Sequence, residues 1–166
     1  MSVSQTAELS LNKHIGHIAA VISNKRFPTG ERAALRRMSP GQPPPLVFYH
    51  FAFNYLPENW EHNMTDWMTL VAGIALMSPN AHQANRGVGI ALAKAGFSEA
   101  RLERLLMSEG NTRRLLLLRA ARFLNAKISP CNWTEFARLL FVKNEESRDI
   151  LHRHIARDFY QHTGTE

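Results

Sequence analysis

The sequence predicts an all-α fold: a compact bundle of about eight helices in a single domain over residues 1–166, with 1–84 and 85–166 as candidate lobes. Three observations carry this reading. Apolar residues recur at three- and four-residue steps through almost every segment, which lines them along one face of a helix. Sustained period-two alternation, the mark of a half-buried strand, is absent. Glycine, proline and capping residues interrupt the helical pattern with clear stops.

Leu11, Ile15, Ile18 and Ile22 define a first helix from about Thr6 to Asn24, ended by Phe27-Pro28-Thr29-Gly30. A short helix follows from Glu31 to Met38; its acidic start and its Arg36-Arg37 end both suit the helix dipole. Ser39 to Pro45, SPGQPPP, is a rigid connector, because proline fixes the backbone and removes donors. The aromatic run from Leu46 opens a helix that reaches Leu56, with Pro45 in its first turn. After a turn at 57–60, Trp67, Leu70, Val71, Ile74 and Ala75 set a core-facing stripe on a helix from about Asn63 to Met77. At that spacing the tryptophan reads as core rather than as a platform for bases. Ser78 to Gly89 has the makeup of an exposed loop.

The stretch from Gly87 to Leu124 carries the charge. Val88 to Ala95 forms a helix closed by Gly96 as a left-handed cap. Gly87-Val88-Gly89 has neither the preceding strand nor the following Lys-Ser/Thr of a phosphate loop, and reads as close helix packing. Ser98 caps the next helix, with Leu102, Leu105 and Leu106 inward and Arg101 and Arg104, three apart, outward. Gly110 ends that helix, and Asn111 or Thr112 caps another in which Leu115 to Leu118 imply burial over most of the circumference. Arg119 and Arg122 project from it together. Antiparallel packing would merge the two arginine pairs into one cationic strip. Lys94, Arg113 and Arg114 add to this surface, against Glu99, Glu103 and Glu109; Glu99 and Glu103 lie within helical reach of Arg101 and Arg104.

Asn125 to Pro130 is the exit turn, and Asn132-Trp133-Thr134-Glu135 reads as a capping box. Trp133, Phe136, Ala137, Leu140 and Phe141 then form an apolar face. A last helix from about Glu145 to Tyr160 turns Ile150, Leu151, Ile155 and Phe159 inward and Arg148, Arg153 and Arg157 largely outward.

Composition narrows the function. An apolar content of 45% supplies a substantial core, and 20 Lys+Arg against 14 Asp+Glu give a net charge of +6. Arginine dominates the cations, and its planar fork matches phosphate oxygens. A polyanion partner and simple solubility both fit that balance. The single cysteine, Cys131, excludes an intramolecular disulfide and fits a reducing compartment. The N-terminal residues lack a signal-peptide pattern, and no run approaches the roughly 20 apolar residues of a membrane span. A cytoplasmic protein without a membrane partner is expected.

Catalytic and metal chemistry find no pattern. His14 and His17 are three apart and His152 and His154 two apart, without His-Glu-x-x-His or a cysteine pair beside them. These histidines read as solvated or capping groups. Cys131 reads as a small buried residue, and Glu145-Glu146 belong to a helix's first turn. No enzyme, metal or cofactor is expected.

An ordered set of blocks resembles the small subunit of the type I-E CRISPR surveillance complex Cascade, the CasB family. Gly30 to Arg37 resembles its early basic helix, Leu46 to Tyr49 its proline-flanked aromatic segment, and Gly89 to Ala93 its glycine-led helix. Ser98 to Leu106, SEARLERLL, resembles its S-x-x-R-x-x-x-LL run; Leu116 to Leu124, Asn132-Trp133 and Ala137 to Leu140 resemble its arginine helix and the helix beyond. Ala156-Arg157-Asp158-Phe159-Tyr160 is the most specific block. The resemblance covers residues 28–160.

It implies an all-helical protein without enzymatic activity, present in two copies beside the guide RNA. Its basic faces would support the guide RNA–target DNA hybrid and the displaced strand, next to the backbone and large subunits. Carried over by position, the basic residues are Arg36, Arg37, Arg101, Arg119, Arg122 and Lys143, with Arg101 and Arg119 ranked first; Arg104 joins them through its spacing from Arg101. Arg157 would be structural, tied to Asp158 or a neighbouring helix. Two other readings stand beside this one. A free-standing DNA-binding regulator would use the Gly96-Phe97-Ser98 turn as a helix-turn-helix. A helical scaffold would bind protein alone.

Overall fold

The computed structural model describes residues 3–164, with side chains from Ser10 onward. Its helices are α1 (Val3–Ser23), α2 (Thr29–Arg36), α3 (Leu46–Tyr55), α4 (Met64–Met77), α5 (Val88–Ala95), α6 (Glu99–Met107), α7 (Gly110–Ala126), α8 (Trp133–Phe141) and α9 (Glu145–His162). A 3-10 turn, Trp60–Asn63, precedes α4. Among the described residues there is no strand, only an isolated bridge between His82 and Cys131.

Local signals set most boundaries. Pro28 and Pro45 are the N-cap residues of α2 and α3, so Pro45 stands just outside the helix rather than in its first turn. Ser98 Oγ accepts the Arg101 N–H at 3.2 Å, and Asn144 Oδ1 accepts that of Ser147 at 3.1 Å. Gly96 closes α5 at φ 86°, where a side chain would be strained.

Packing corrects several local expectations. Gly110 does not end α6: Ser108 and Glu109 are already extended, and Gly110, at φ 58°, opens α7 with Glu109 as its cap. The four leucines of α7 are not all inside. Leu117 and Leu118 are buried and Leu116 half-buried, but Leu115 is exposed, because a 3.6-residue period cannot turn four consecutive positions to one core. The buried position one turn before Leu117 belongs to Arg113. On α9, Ile150 is exposed and Leu151 takes the core position beside it. The segment 78–87 is only partly an exposed loop. Ala81 is buried, and its backbone binds the 130–132 turn through Cys131 N–H to Ala81 O, Gln83 N–H to Cys131 O and Asn132 N–H to Arg86 O.

The centre is α4. Only one stripe was expected to face inward, yet every residue from Asp66 to Ala75 is buried. Asp66 is the helix's only charged residue, so most of its circumference can be enclosed; α1, α2, α7 and α8 all pack on it. Gly73 makes room for this, since a Cβ there would collide with the Trp133 ring of α8. Trp60, Trp67 and Trp133 are all core residues, as the spacing predicts for Trp67 and Trp133.

The most extensive helix pair is α5 on α9. Gly89 lies against the α9 backbone: a Cβ there would collide with Ile155 O and stand 2.9 Å from Phe159 N. Backbone atoms of a helix cannot turn aside as a side chain tip can. We therefore expect Gly89→Ala to cost about 2 kcal/mol through overpacking. Gly16→Ala, in the middle of α1 with nothing within 4 Å of the new methyl, should stabilise by about 0.5–1 kcal/mol. Urea denaturation of both variants checks this; equal tolerance at the two positions would refute the close α5–α9 contact.

Candidate nucleic-acid interface

One buried carboxylate ties the start of α5 to α8 and α9. Glu135 does not reach back to its own helix cap, where Asn132 Oδ1 alone accepts the Thr134 N–H at 3.0 Å. Its Oε1 instead accepts the Val88 N–H at 2.7 Å, at the N-terminus of α5, where a negative charge meets the positive end of the helix dipole. Glu135 Oε2 lies 2.9 Å from His154 Nε2, which is 3.4 Å from Asp158 Oδ2. Arg157, expected against Asp158, is exposed; Asp158 faces His154. Gly87 is required here as well, because a Cβ would lie 2.8 Å from Asp158 Oδ2 and 2.9 Å from Glu135 Oε1. Among the described residues, Glu135, His154 and Asp158 are the group whose donor atoms are close enough together to share a metal ion. Their contacts to one another and to Val88 account for the arrangement as a helix-end cap.

The sequence-predicted cations divide into two groups. Arg101, Arg104, Arg119 and Arg122 are exposed on α6 and α7. The expected pairing of Arg101 and Arg104 with Glu99 and Glu103 does not form; Glu99 accepts the Tyr160 hydroxyl at 2.5 Å instead. The Arg101 guanidinium rests over two rings, 5.9 Å from Phe97 and 5.8 Å from Phe123, which themselves meet edge to face at 5.2 Å. Lys127 Nζ approaches the same Phe123 ring at 6.0 Å. Arg119 precedes Phe123 by four residues and shares its side of α7. One aromatic pair thus gathers a cation from α6 and one from the C-cap of α7. Arg36, Arg37 and Lys143 are also exposed, at the end of α2 and in the α8–α9 link. No hydrogen bond, ion pair or ring contact joins them to the Arg101 group among the described residues.

Two arginines of the predicted surface are not on it. Arg113 is buried and donates Nη1 to Leu139 O at 3.0 Å. Arg114 is tied to Asp66 of α4 at 2.7 Å. Neither can leave its partner cheaply. Conversely, the folded chain adds Lys127, which the sequence places only in an exit turn. Beside it lies an open depression of about 310 Å³ lined by Arg86, Lys94, Lys127, Ile128 and Ser129. Arg86 is held there by Pro130 O and Ser129 Oγ, both at 3.0 Å. The four-residue step from Phe123 to Lys127 is the signal that could have found Lys127.

The family model for the CRISPR-associated protein Cse2 matches residues 31–160. The chain belongs to this family. Its fold recurs in three solved structures. A Cse2-family CRISPR-associated protein of Thermus thermophilus aligns with a TM-score of 0.70 at 20% identity, covering 91% of this chain and 97% of that one. A chain of E. coli Cascade bound to a PAM-containing dsDNA target aligns with a TM-score of 0.63 at 21% identity, over 95% and 97%. CasB from Thermobifida fusca gives 0.62 at 13% identity, over 92% and 97%. At these identities the likeness is one of fold. Among curated proteins, none matches the sequence. No described helix is long and apolar enough to cross a membrane.

In this Cse2-family chain a half-buried histidine meets the first amide of α8. His82 Nδ1 accepts the Trp133 N–H at 3.1 Å, and burial holds the His82 pKa below its ordinary value. Protonation would remove that acceptor. The unfolded chain takes up this proton at about pH 6.5 and the folded chain only at lower pH, so the contribution of His82 to stability is lost as the pH drops below about 6.5. Urea midpoints at pH 7 and pH 5 should show this loss. In His82→Asn, whose amide oxygen accepts without titrating, the loss should be smaller; an equally steep decline would acquit His82.

Proposed function

We propose that this chain is a non-catalytic subunit of a CRISPR RNA-guided surveillance complex, the type I-E Cascade. Its α6–α7 face would bind nucleic-acid backbone while pairing, not this protein, reads the sequence. The observation that carries the reading is the Cse2-family match over residues 31–160. The exposed Arg101, Arg104, Arg119 and Arg122, none of them in an ion pair among the described residues, support it. So does the structural likeness to a chain of E. coli Cascade bound to a dsDNA target.

The physical logic is short. Exchanging a DNA duplex for a guide–target hybrid is nearly balanced in energy, so modest contacts to the backbone can tip it. Guanidinium groups supply such contacts without base readout. Phe97 and Phe123 restrict the Arg101 guanidinium before it meets a phosphate, which lowers the entropy lost on binding. The partners in this reading are the guide RNA, the target DNA with its displaced strand, the backbone and large subunits, and a second copy of the chain. Arg36, Arg37 and Lys143 would meet nucleic acid outside the aromatic cluster. The setting is the cytoplasm, in antiviral defence.

The test is Arg101→Gln with Arg119→Gln in the reconstituted complex. Target affinity at moderate salt should fall about tenfold or more, and the slope of log K against log salt should shrink by about 2. The melting point of the isolated subunit should hold, since both side chains are exposed. Unchanged affinity and slope would sink the assignment of this face. Protection of a palindromic DNA site by the chain alone would favour a regulator instead.

A further inference from the structure

Two helices end with the same pair of backbone bonds and with different residues. At the end of α5, the Gly96 N–H reaches Ala93 O at 3.1 Å and the Phe97 N–H reaches Leu92 O at 2.9 Å. At the end of α7, the Ile128 N–H reaches Asn125 O at 3.0 Å and the Ser129 N–H reaches Leu124 O at 2.9 Å. This reversal needs a left-handed residue, which is why glycine is usual there. Gly96 supplies it at φ 86°, but on α7 the residue is Ile128, at φ 51°. Among the described residues Ile128 is the one non-glycine with positive φ. A β-branched side chain is the type least suited to that conformation. Burial does not offset the strain, because Ile128 is 77% exposed.

An exposed isoleucine alone is ordinary, whereas one held out under strain beside clustered cations points to a contact. Ile128 borders the depression of about 310 Å³ together with Arg86, Lys94, Lys127 and Ser129, and no carboxylate is among its lining residues. Arg86 uses Nε and Nη2 on Pro130 O and Ser129 Oγ, which fixes the guanidinium and leaves Nη1 without a partner among the described residues. Lys94 and Lys127 are exposed at the ends of α5 and α7, where the helix dipoles account for part of their placement. The dipoles do not account for Ile128. Lys127 also approaches Phe123, the ring that carries Arg101, so the depression continues the α6–α7 face.

We infer that this depression binds single-stranded nucleic acid: Arg86, Lys94 and Lys127 meet its backbone, and Ile128 packs on the adjoining sugar and base. A duplex keeps its base faces in the stack, so an apolar knob among cations favours an unpaired strand. The inference rests on the reading of the α6–α7 face as a nucleic-acid surface and names the class of strand held at one end of it.

Fluorescence anisotropy of the purified full-length chain tests it, with a labelled single-stranded oligodeoxythymidylate and a duplex of equal length at low salt. Ile128→Gly should weaken single-strand binding about threefold or more and leave duplex binding unchanged. Its urea midpoint should rise, since glycine relieves the strain. Lys94→Gln should reduce the single-strand slope of log K against log salt by about 0.7. Arg101→Gln with Arg119→Gln is the separate arm for the α6–α7 face. If that pair weakens strand binding and Ile128→Gly does not, the depression is no strand site although the face is one. If Ile128→Gly weakens it and the pair does not, the site stands and the face falls. Failure of the wild-type chain to bind the single strand would overturn the site, and so would a lowered urea midpoint in Ile128→Gly. Unchanged strand affinity in Ile128→Gly with weakened entry into the reconstituted complex would assign Ile128 to a protein partner and overturn it as well.

Discussion

One hydrogen bond organises the half of the molecule that carries the charge: the buried Glu135 carboxylate on the Val88 amide, at 2.7 Å. Glu135 belongs to α8, Val88 opens α5, and His154 and Asp158 close the group from α9. Three helices meet there around a charge that faces the positive end of a helix dipole and lies 2.9 Å from an imidazole nitrogen. A buried carboxylate left unpaired would be prohibitive, so the position of each helix depends on the other two. Gly87 and Gly89 supply the space, the first beneath the carboxylates and the second against the α9 backbone. From this joint the chain runs directly through α6 into α7, and the basic face inherits its position.

The arginines then fall into two roles that composition alone cannot distinguish. Some serve the ends of helices and turns. Arg32 donates to Ile22 O and Asn24 O at the end of α1, Arg113 to Leu139 O in α8, and Arg86 to Pro130 O. Carbonyls at a helix C-terminus lack intrahelical partners and carry the negative end of the dipole, so a guanidinium fork satisfies both needs. Others, Arg101, Arg104, Arg119 and Arg122, make no such contact and stay exposed. Arg101 is intermediate in character: aromatic rings hold it in place, yet its guanidinium makes no hydrogen bond or ion pair among the described residues.

How much of this was legible in the sequence follows from the range of each interaction. Helix existence and order were legible, because apolar spacing and caps such as Ser98, Asn144 and Gly96 act within one turn. The exposed Arg101, Arg104, Arg119 and Arg122 were legible from the same periodicity. Contacts between distant segments were not. Glu135 satisfies every local requirement of a capping box and leaves it for an amide 47 residues away. Arg113 and Arg119 look alike in sequence, and only the placement of α8 buries the first. Lys127 joins the basic cluster through Phe123, a ring that faces Arg101 only after α6 and α7 have packed. The family resemblance supplied what periodicity could not, a reason to expect a basic surface.

The central claim is that the face built on Phe97 and Phe123 meets nucleic-acid phosphates. A structure of the reconstituted complex with guide and target DNA tests it most directly. The account predicts donor nitrogens of Arg101 and Arg119 within about 3 Å of backbone oxygens, with the Glu135–Val88 joint unchanged beneath them. A density in which another protein subunit covers this face, or in which it looks onto solvent while nucleic acid runs elsewhere, would contradict it.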